Sequence, residues 1–150
     1  EPILQQDAQL ILGTDGEKMS KSRNNIIDVF DNENALRKLI NKNIITDNTP
    51  LEEPKDPDNA TVYQLYKLLA SDEESKTMSD KLKAGGYGWG HAKKELVAKV
   101  ISSFSEERAK FEHYQNYPNE VEEVLIEGAQ KAKEVAKATL DRVRNSFGYN

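Results

Sequence analysis

The chain has 150 residues, 31% charged and 37% hydrophobic, with a formal net charge of -5 and a mean hydropathy of -0.78. That length fits one domain, or one domain with a piece of another, and the lack of cysteine excludes a disulfide framework, a thiolate metal site and a cysteine nucleophile. No apolar run approaches the roughly 18 residues of a membrane span, and the negative net charge argues against a generic nucleic-acid binder, which carries a basic footprint.

The first residues, Glu1-Pro2-Ile3-Leu4, lack an initiator Met and the basic-then-apolar layout of a signal peptide, so the chain is expected to begin inside a longer protein. Gln9 to Leu12 read as the end of a strand, and Gly13 to Asn25 as a loop. This loop contains Lys18-Met19-Ser20-Lys21-Ser22 behind two glycines, followed by Arg23. Two ammonium groups among small hydroxyl residues can clamp a polyphosphate and follow its charge through a reaction. A plain solvated loop, a phosphorylated loop and a nonspecific anion site all fit the same composition. Asp15 suits either orienting a loop lysine or forming the turn between the glycines.

Asn25 is placed to cap a short helical turn through Ile26, Ile27, Val29 and Phe30. From about Asn32, Ala35, Leu36, Leu39 and Ile40 share one helical face. Asn41 to Asp58 is irregular, with prolines at 50, 54 and 57, and loops this long tend to be functional or packed on a neighbour. The next helix starts at Asp58 or Asn59 and carries Val62, Leu65, Tyr66, Leu68 and Leu69. Ser71 or Asp72 caps another helix through Met78 and Leu82, ending at Gly85-Gly86. One long helix is predicted from about His91 to Asn116, and a last one from Pro118 to about Phe147. No internal repeat stands out.

The segment Tyr87, Trp89 and His91 interleaves rings with glycines and runs into Lys93 and Lys94. Such a run can stack on unpaired RNA bases and hold phosphates, or it can bury its rings in a helix–helix corner. Basic residues gather again at Lys131, Lys133, Lys137, Arg142 and Arg144, and acidic ones at Glu52, Glu53, Asp56 and Asp58 and at Glu120, Glu122, Glu123 and Glu127. Contact with RNA through one face therefore stays open. The two histidines, His91 and His113, lie 22 residues apart and cannot pair on one helical face, so no metal site is expected. Neither a Gly-x-Ser-x-Gly elbow nor a complete P-loop is present.

Taken in order, several segments resemble the C-terminal part of the bacterial tryptophanyl-tRNA synthetases, a family of class I aminoacyl-tRNA synthetases. They are Gly13-Thr-Asp-Gly-Glu-Lys-Met-Ser-Lys-Ser22 with Asn24-Asn25-Ile26-Ile27, Thr46-Asp47-Asn48-Thr49-Pro50, and Glu52-Glu-Pro-Lys-Asp-Pro57. Tyr66-Lys-Leu-Leu69, Gly86-Tyr-Gly-Trp-Gly-His-Ala-Lys-Lys-Glu-Leu96 and Glu127-Gly-Ala-Gln-Lys-Ala-Lys133 complete the set. The resemblance spans essentially the whole chain; the related tyrosine enzymes look less similar.

The resemblance implies an all-α fold, a helical bundle of the anticodon-binding type behind a short loop-rich remnant of a Rossmann-type α/β catalytic domain. The implied divisions are 1–25 for that remnant, 26–117 for the helical domain, and 118–150 for a helix packing back towards the catalytic domain. Lys18 and Lys21 become the catalytic pair, stabilising pyrophosphate as the tryptophan carboxylate attacks ATP, with Met19, Ser20 and Ser22 also at the nucleotide. Tyr87, Trp89, His91, Lys93 and Lys94 are candidate tRNA contacts. ATP is the implied substrate, with Mg2+ in the full-length enzyme. Tryptophan and tRNA(Trp) are the other implied partners, in a cytoplasmic homodimer. The first ATP signature and most of the tryptophan pocket are not in the sequence, so this piece is expected to be inactive and monomeric alone. The alternative is a free-standing helical RNA-binding or interaction module.

Overall fold

The computed structural model describes residues 10–148. Two compact units follow one another, Glu1–Ser105 and Glu106–Asn150. Among the described residues the regular elements are helical: α1 (Glu33–Asn43), α2 (Thr61–Lys67), α3 (Asp72–Ala84), α4 (Trp89–Ser103), α5 (Ser105–Asn116) and α6 (Pro118–Ser146), with a single 3₁₀ turn at Lys21–Arg23. The expected strand end is reduced to one antiparallel bridge between Leu12 and Lys18; Gln9 lies outside the described residues.

The core of the first unit lies among α1, α2, α3 and α4, with α4 packing on both α1 and α2. Leu36, Ile40, Val62, Met78, Leu82 and Leu96 are buried at its centre. Each contributes on the order of 1.5–3 kcal/mol on leaving water. The helix starts follow the sequence closely. Asn32 caps α1 by accepting from the Ala35 N–H at 2.9 Å. Ser71 and Glu74 form a capping box on α3, and the Glu74 carboxylate also receives the Lys99 ammonium at 2.6 Å, tying α3 to α4.

Three expectations are corrected. Asn25 caps no helix: residues 26–28 are irregular, and the turn after them is closed by the Phe30 N–H on the Asp28 carboxylate. α2 begins at Thr61 instead of Asp58 or Asn59, because Asp56 draws the Asp58 N–H (3.0 Å) and the Asn59 amide (2.6 Å) into a turn of their own. The long helix after His91 is two helices broken at Phe104. There the Ser102 and Ser105 hydroxyls bond back to the Lys99 and Ser102 carbonyls, competing with the helical ladder.

In the second unit no residue of α5 or α6 is buried. Pro118 opens α6, where a proline loses no helical hydrogen bond. The corner before it is held by His113, whose Nε2 lies 2.7 Å from the Glu120 carboxylate and whose ring stands 4.8 Å from that of Tyr117.

Candidate functional site

The lysine loop is built around a buried side chain that sequence reasoning read as a helix cap. Asn25 is 2% exposed. Its Nδ2 donates to the Asp15 carboxylate at 2.7 Å and to the Lys18 carbonyl at 3.1 Å, and its Oδ1 accepts the Ser20 N–H at 2.8 Å. Its own carbonyl accepts the Thr14 N–H at 2.9 Å. Gly13 is required beside it, because a Cβ there would overlap the carboxamide. Asp15 Oδ1 also accepts the Glu17 N–H at 3.0 Å. The Asn25 hydrogen bond, foremost, holds the Asp15 pKa below the ordinary carboxylate value.

The remaining contacts tie the loop at both ends. The Gly13 N–H donates to the Glu17 carbonyl at 2.7 Å, and the Met19 N–H to the Ile11 carbonyl at 2.9 Å. The Ser20 hydroxyl accepts the Arg23 N–H, capping the 3₁₀ turn, and lies 3.1 Å from the Ser22 hydroxyl. Asn24 closes that turn in the left-handed region at φ 53°, which Asn tolerates better than most residues. The Met19 side chain lines an apolar cavity of about 350 Å³ with Ile27, Leu65, Leu96 and Phe104. Lys18 and Lys21 are exposed, and among the described residues neither ammonium has a hydrogen-bond or ion-pair partner. The result is two unclaimed cations on a fixed backbone, which is what electrostatic stabilisation of a shifting phosphate charge requires.

The aromatic candidates are drawn into the fold. Trp89 Nε1 donates to the Asp47 carboxylate at 2.9 Å, and the Lys55 ammonium stands 5.8 Å from the centre of the indole. Asp47 has a lowered pKa, chiefly from the Thr49 hydrogen bonds. Tyr87 stacks on His91 at 5.6 Å, with the Lys81 ammonium 5.4 Å from its ring centre. Burial pushes the Tyr87 phenol above its ordinary pKa. His91 and Lys94 are exposed.

Lys93 is turned inward, 8% exposed, and its ammonium donates to the Ile44 carbonyl at 2.6 Å and the Asn41 carbonyl at 3.2 Å. Desolvation lowers its pKa. Its donors serve the carbonyls that end α1, whereas the neighbouring Lys94 is exposed. Lys55, buried at 4% exposure, holds the proline-rich loop in the same way, donating to the carbonyls of Pro50, Leu51 and Glu53. That loop seats on the end of α3, where a Cβ at Gly85 (φ 78°) would overlap the Glu52 carbonyl. Close approach thus occurs within the fold at Gly85. Among the described residues no cluster of His, Cys, Asp or Glu can hold a metal ion, and no helix is long and apolar enough to cross a membrane.

Comparison with known proteins identifies the family. Residues 2–143 match the family described as tRNA synthetases class I (W and Y). The tryptophan–tRNA ligase of Rhodopirellula baltica is 43% identical over 91% of this chain and 42% of its own length. That of Fusobacterium nucleatum is 38% identical over 99% of this chain and 45% of its own length. The crystal structure of the Campylobacter jejuni tryptophanyl-tRNA synthetase, complexed with ADP and tryptophan, superposes with a TM-score of 0.91 at 35% identity, covering 96% of this chain and 45% of that one. The chain therefore spans less than half the length of these relatives.

Proposed function

The chain belongs to the class I tRNA synthetases of the W and Y family, and from that premise we propose that it is part of a tryptophan–tRNA ligase. In this reading a tryptophan carboxylate oxygen bonds to the α-phosphorus of ATP. The bond from that phosphorus to the bridging oxygen breaks, and pyrophosphate leaves with the negative charge. Lys18 and Lys21 meet that charge as it grows, so their interaction is stronger in the transition state than in bound ATP. The Ser20 and Ser22 hydroxyls and the backbone at Met19 position the nucleotide. The adenylate then passes its tryptophanyl group to tRNA(Trp), and AMP leaves.

Residues 10–25 are, in this reading, the edge of a Rossmann-type catalytic domain, and the helical unit contacts the anticodon region of the tRNA. Tyr87, His91 and Lys94 are the proposed contacts there, with Trp89 placing the segment through Asp47. Among the described residues no cluster of three or more His, Cys, Asp or Glu side chains is placed to hold a metal ion, and the groups this proposal sets against the phosphates are Lys18 and Lys21. The observation that carries the reading is the pair of exposed ammonium groups, without a partner among the described residues, on a loop whose backbone is tied down.

The test is tryptophan-dependent exchange of labelled pyrophosphate into ATP by the full-length protein. Exchange is expected with tryptophan and not with tyrosine. No exchange with tryptophan, or equal exchange with tyrosine, would sink the proposal.

A further inference from the structure

The geometry points to Asn25 as the positioning residue that sets both loop lysines for phosphate contact. This inference rests on the phosphate-clamp reading of the loop and adds a residue that touches no substrate. Lys18 and Lys21 lie on different local structures: Lys18 is in the bridge to Leu12, and Lys21 opens the 3₁₀ turn. One carboxamide spans the junction. Its Nδ2 holds the Lys18 carbonyl, and its Oδ1 holds the N–H of Ser20, the residue that caps the turn carrying Lys21. Only Met19, whose N–H is tied to the Ile11 carbonyl, stands between the two held groups, so one side chain bridges the backbone that joins the two lysines.

The carboxamide is itself held from below. The Asp15 carboxylate accepts its second N–H at 2.7 Å, and Gly13 leaves the space in which it sits. Asn suits this position because it presents one acceptor and two donors within a few ångströms. Asp would keep the acceptor for Ser20 but would set an anion against Asp15 and against the Lys18 carbonyl. Ala would leave the Ser20 N–H and the Lys18 carbonyl without their shared partner. Either change frees the loop backbone without removing a lysine. A misplacement of about 1 Å at a reacting group is enough to cost on the order of a hundredfold in rate.

The decisive experiment compares Asn25→Ala, Asn25→Asp and the exchanged pair Asp15→Asn/Asn25→Asp with Lys18→Ala in the full-length protein. Three readouts are taken: pyrophosphate exchange, tryptic cleavage after Lys18, Lys21 and Arg23, and the thermal midpoint. Asn25→Ala and Asn25→Asp are expected to lower kcat of exchange roughly a hundredfold. KM for tryptophan should stay unchanged, and cleavage should quicken within the loop alone. The exchanged pair is expected to recover part of the rate, since its carboxamide at position 15 can donate to its carboxylate at position 25; a merely structural loss would not be rescued in kcat. Loss of exchange in Lys18→Ala without loss in the Asn25 variants overturns the positioning role by itself. Retained exchange in Lys18→Ala and the Asn25 variants alike overturns the phosphate reading on which it rests. If Asn25→Ala does not fold, Asn25→Asp and its exchanged partner carry the same comparison, and an equal rate in those two overturns the proposal.

Discussion

The segments 13–25 and 85–94 both place lysines beside glycines, and the fold uses their lysines in opposite ways. In the first, the backbone polar groups are consumed by Asn25, Ser20 and one another, and the two ammonium groups are left over. In the second, Lys93 is itself the partner, giving its donors to the carbonyls at the end of α1. A buried carbonyl without a donor costs about 1–3 kcal/mol, so a lysine within reach of two such groups is claimed by the fold. A lysine remains free for a ligand when other residues have satisfied the backbone around it. The difference between the two regions therefore lies in their neighbours' hydrogen bonds and not in the lysines.

Removing the free cations is the sharpest way to break this comparison. Lys18→Ala and Lys21→Ala are each expected to lower kcat for pyrophosphate exchange by about 10²–10³-fold, the usual consequence of losing one transition-state donor. The urea midpoint should be unchanged, because neither ammonium supports the fold. A large drop in stability with either variant would show that the lysine has a structural partner and would remove the contrast with Lys93.

Lys93→Met is expected to do the reverse, lowering stability by about 2 kcal/mol in urea titration while leaving ATP-dependent exchange intact in the folded protein. The pH dependence adds a sign. Burial lowers the folded-state pKa of Lys93 below the ordinary lysine value of 10.5. Between that lowered value and 10.5 the unfolded chain binds more protons than the folded one, so the Lys93 contribution to stability rises with pH. The gap between wild type and Lys93→Met should therefore shift in favour of wild type as pH climbs through that window. A shift in the other direction would contradict a buried, desolvated ammonium.

Much of the helical layout was legible because Leu36 with Ile40, Met78 with Leu82, and Leu96 with Val100 repeat at helical spacing. The break at Phe104 was not, since Val100, Ile101 and Phe104 continue that spacing across it; the serine hydroxyls that compete with the ladder find their carbonyls only once the chain is folded. Trp89 offered a similar limit. Its indole bonds to Asp47, a contact between distant parts of the chain that no local pattern carries. The loop lysines were legible as chemistry, through their type and spacing. Asn25 was not: its value lies in three groups brought together by the turns at Asp15 and Asn24. Lys93 shares the buried face of α4 with Leu96, Val97 and Val100. That spacing was the available signal that it would point inward while Lys94 would not.

Lys93 and Lys94 give the finest version of the comparison, since they are adjacent and differ only in which way the helix turns them. If Lys94 meets a tRNA phosphate, Lys94→Ala should weaken binding of tRNA(Trp) to the full-length protein by severalfold. It should also reduce the slope of log affinity against log salt by about 0.7–0.9, the release of one counterion's worth of charge. Lys93→Met should leave that slope where it was, because a cation already bonded to Ile44 and Asn41 carbonyls inside the fold neutralises no phosphate. Filter binding across a salt series reads both variants in one experiment, and tRNA with an altered anticodon separates phosphate contact from base recognition. An unchanged slope in Lys94→Ala removes that residue from the tRNA face. A slope changed by Lys93→Met would mean that its ammonium leaves the α1 carbonyls when tRNA binds, and burial in the free protein would then be a poor guide to which lysines a ligand can reach.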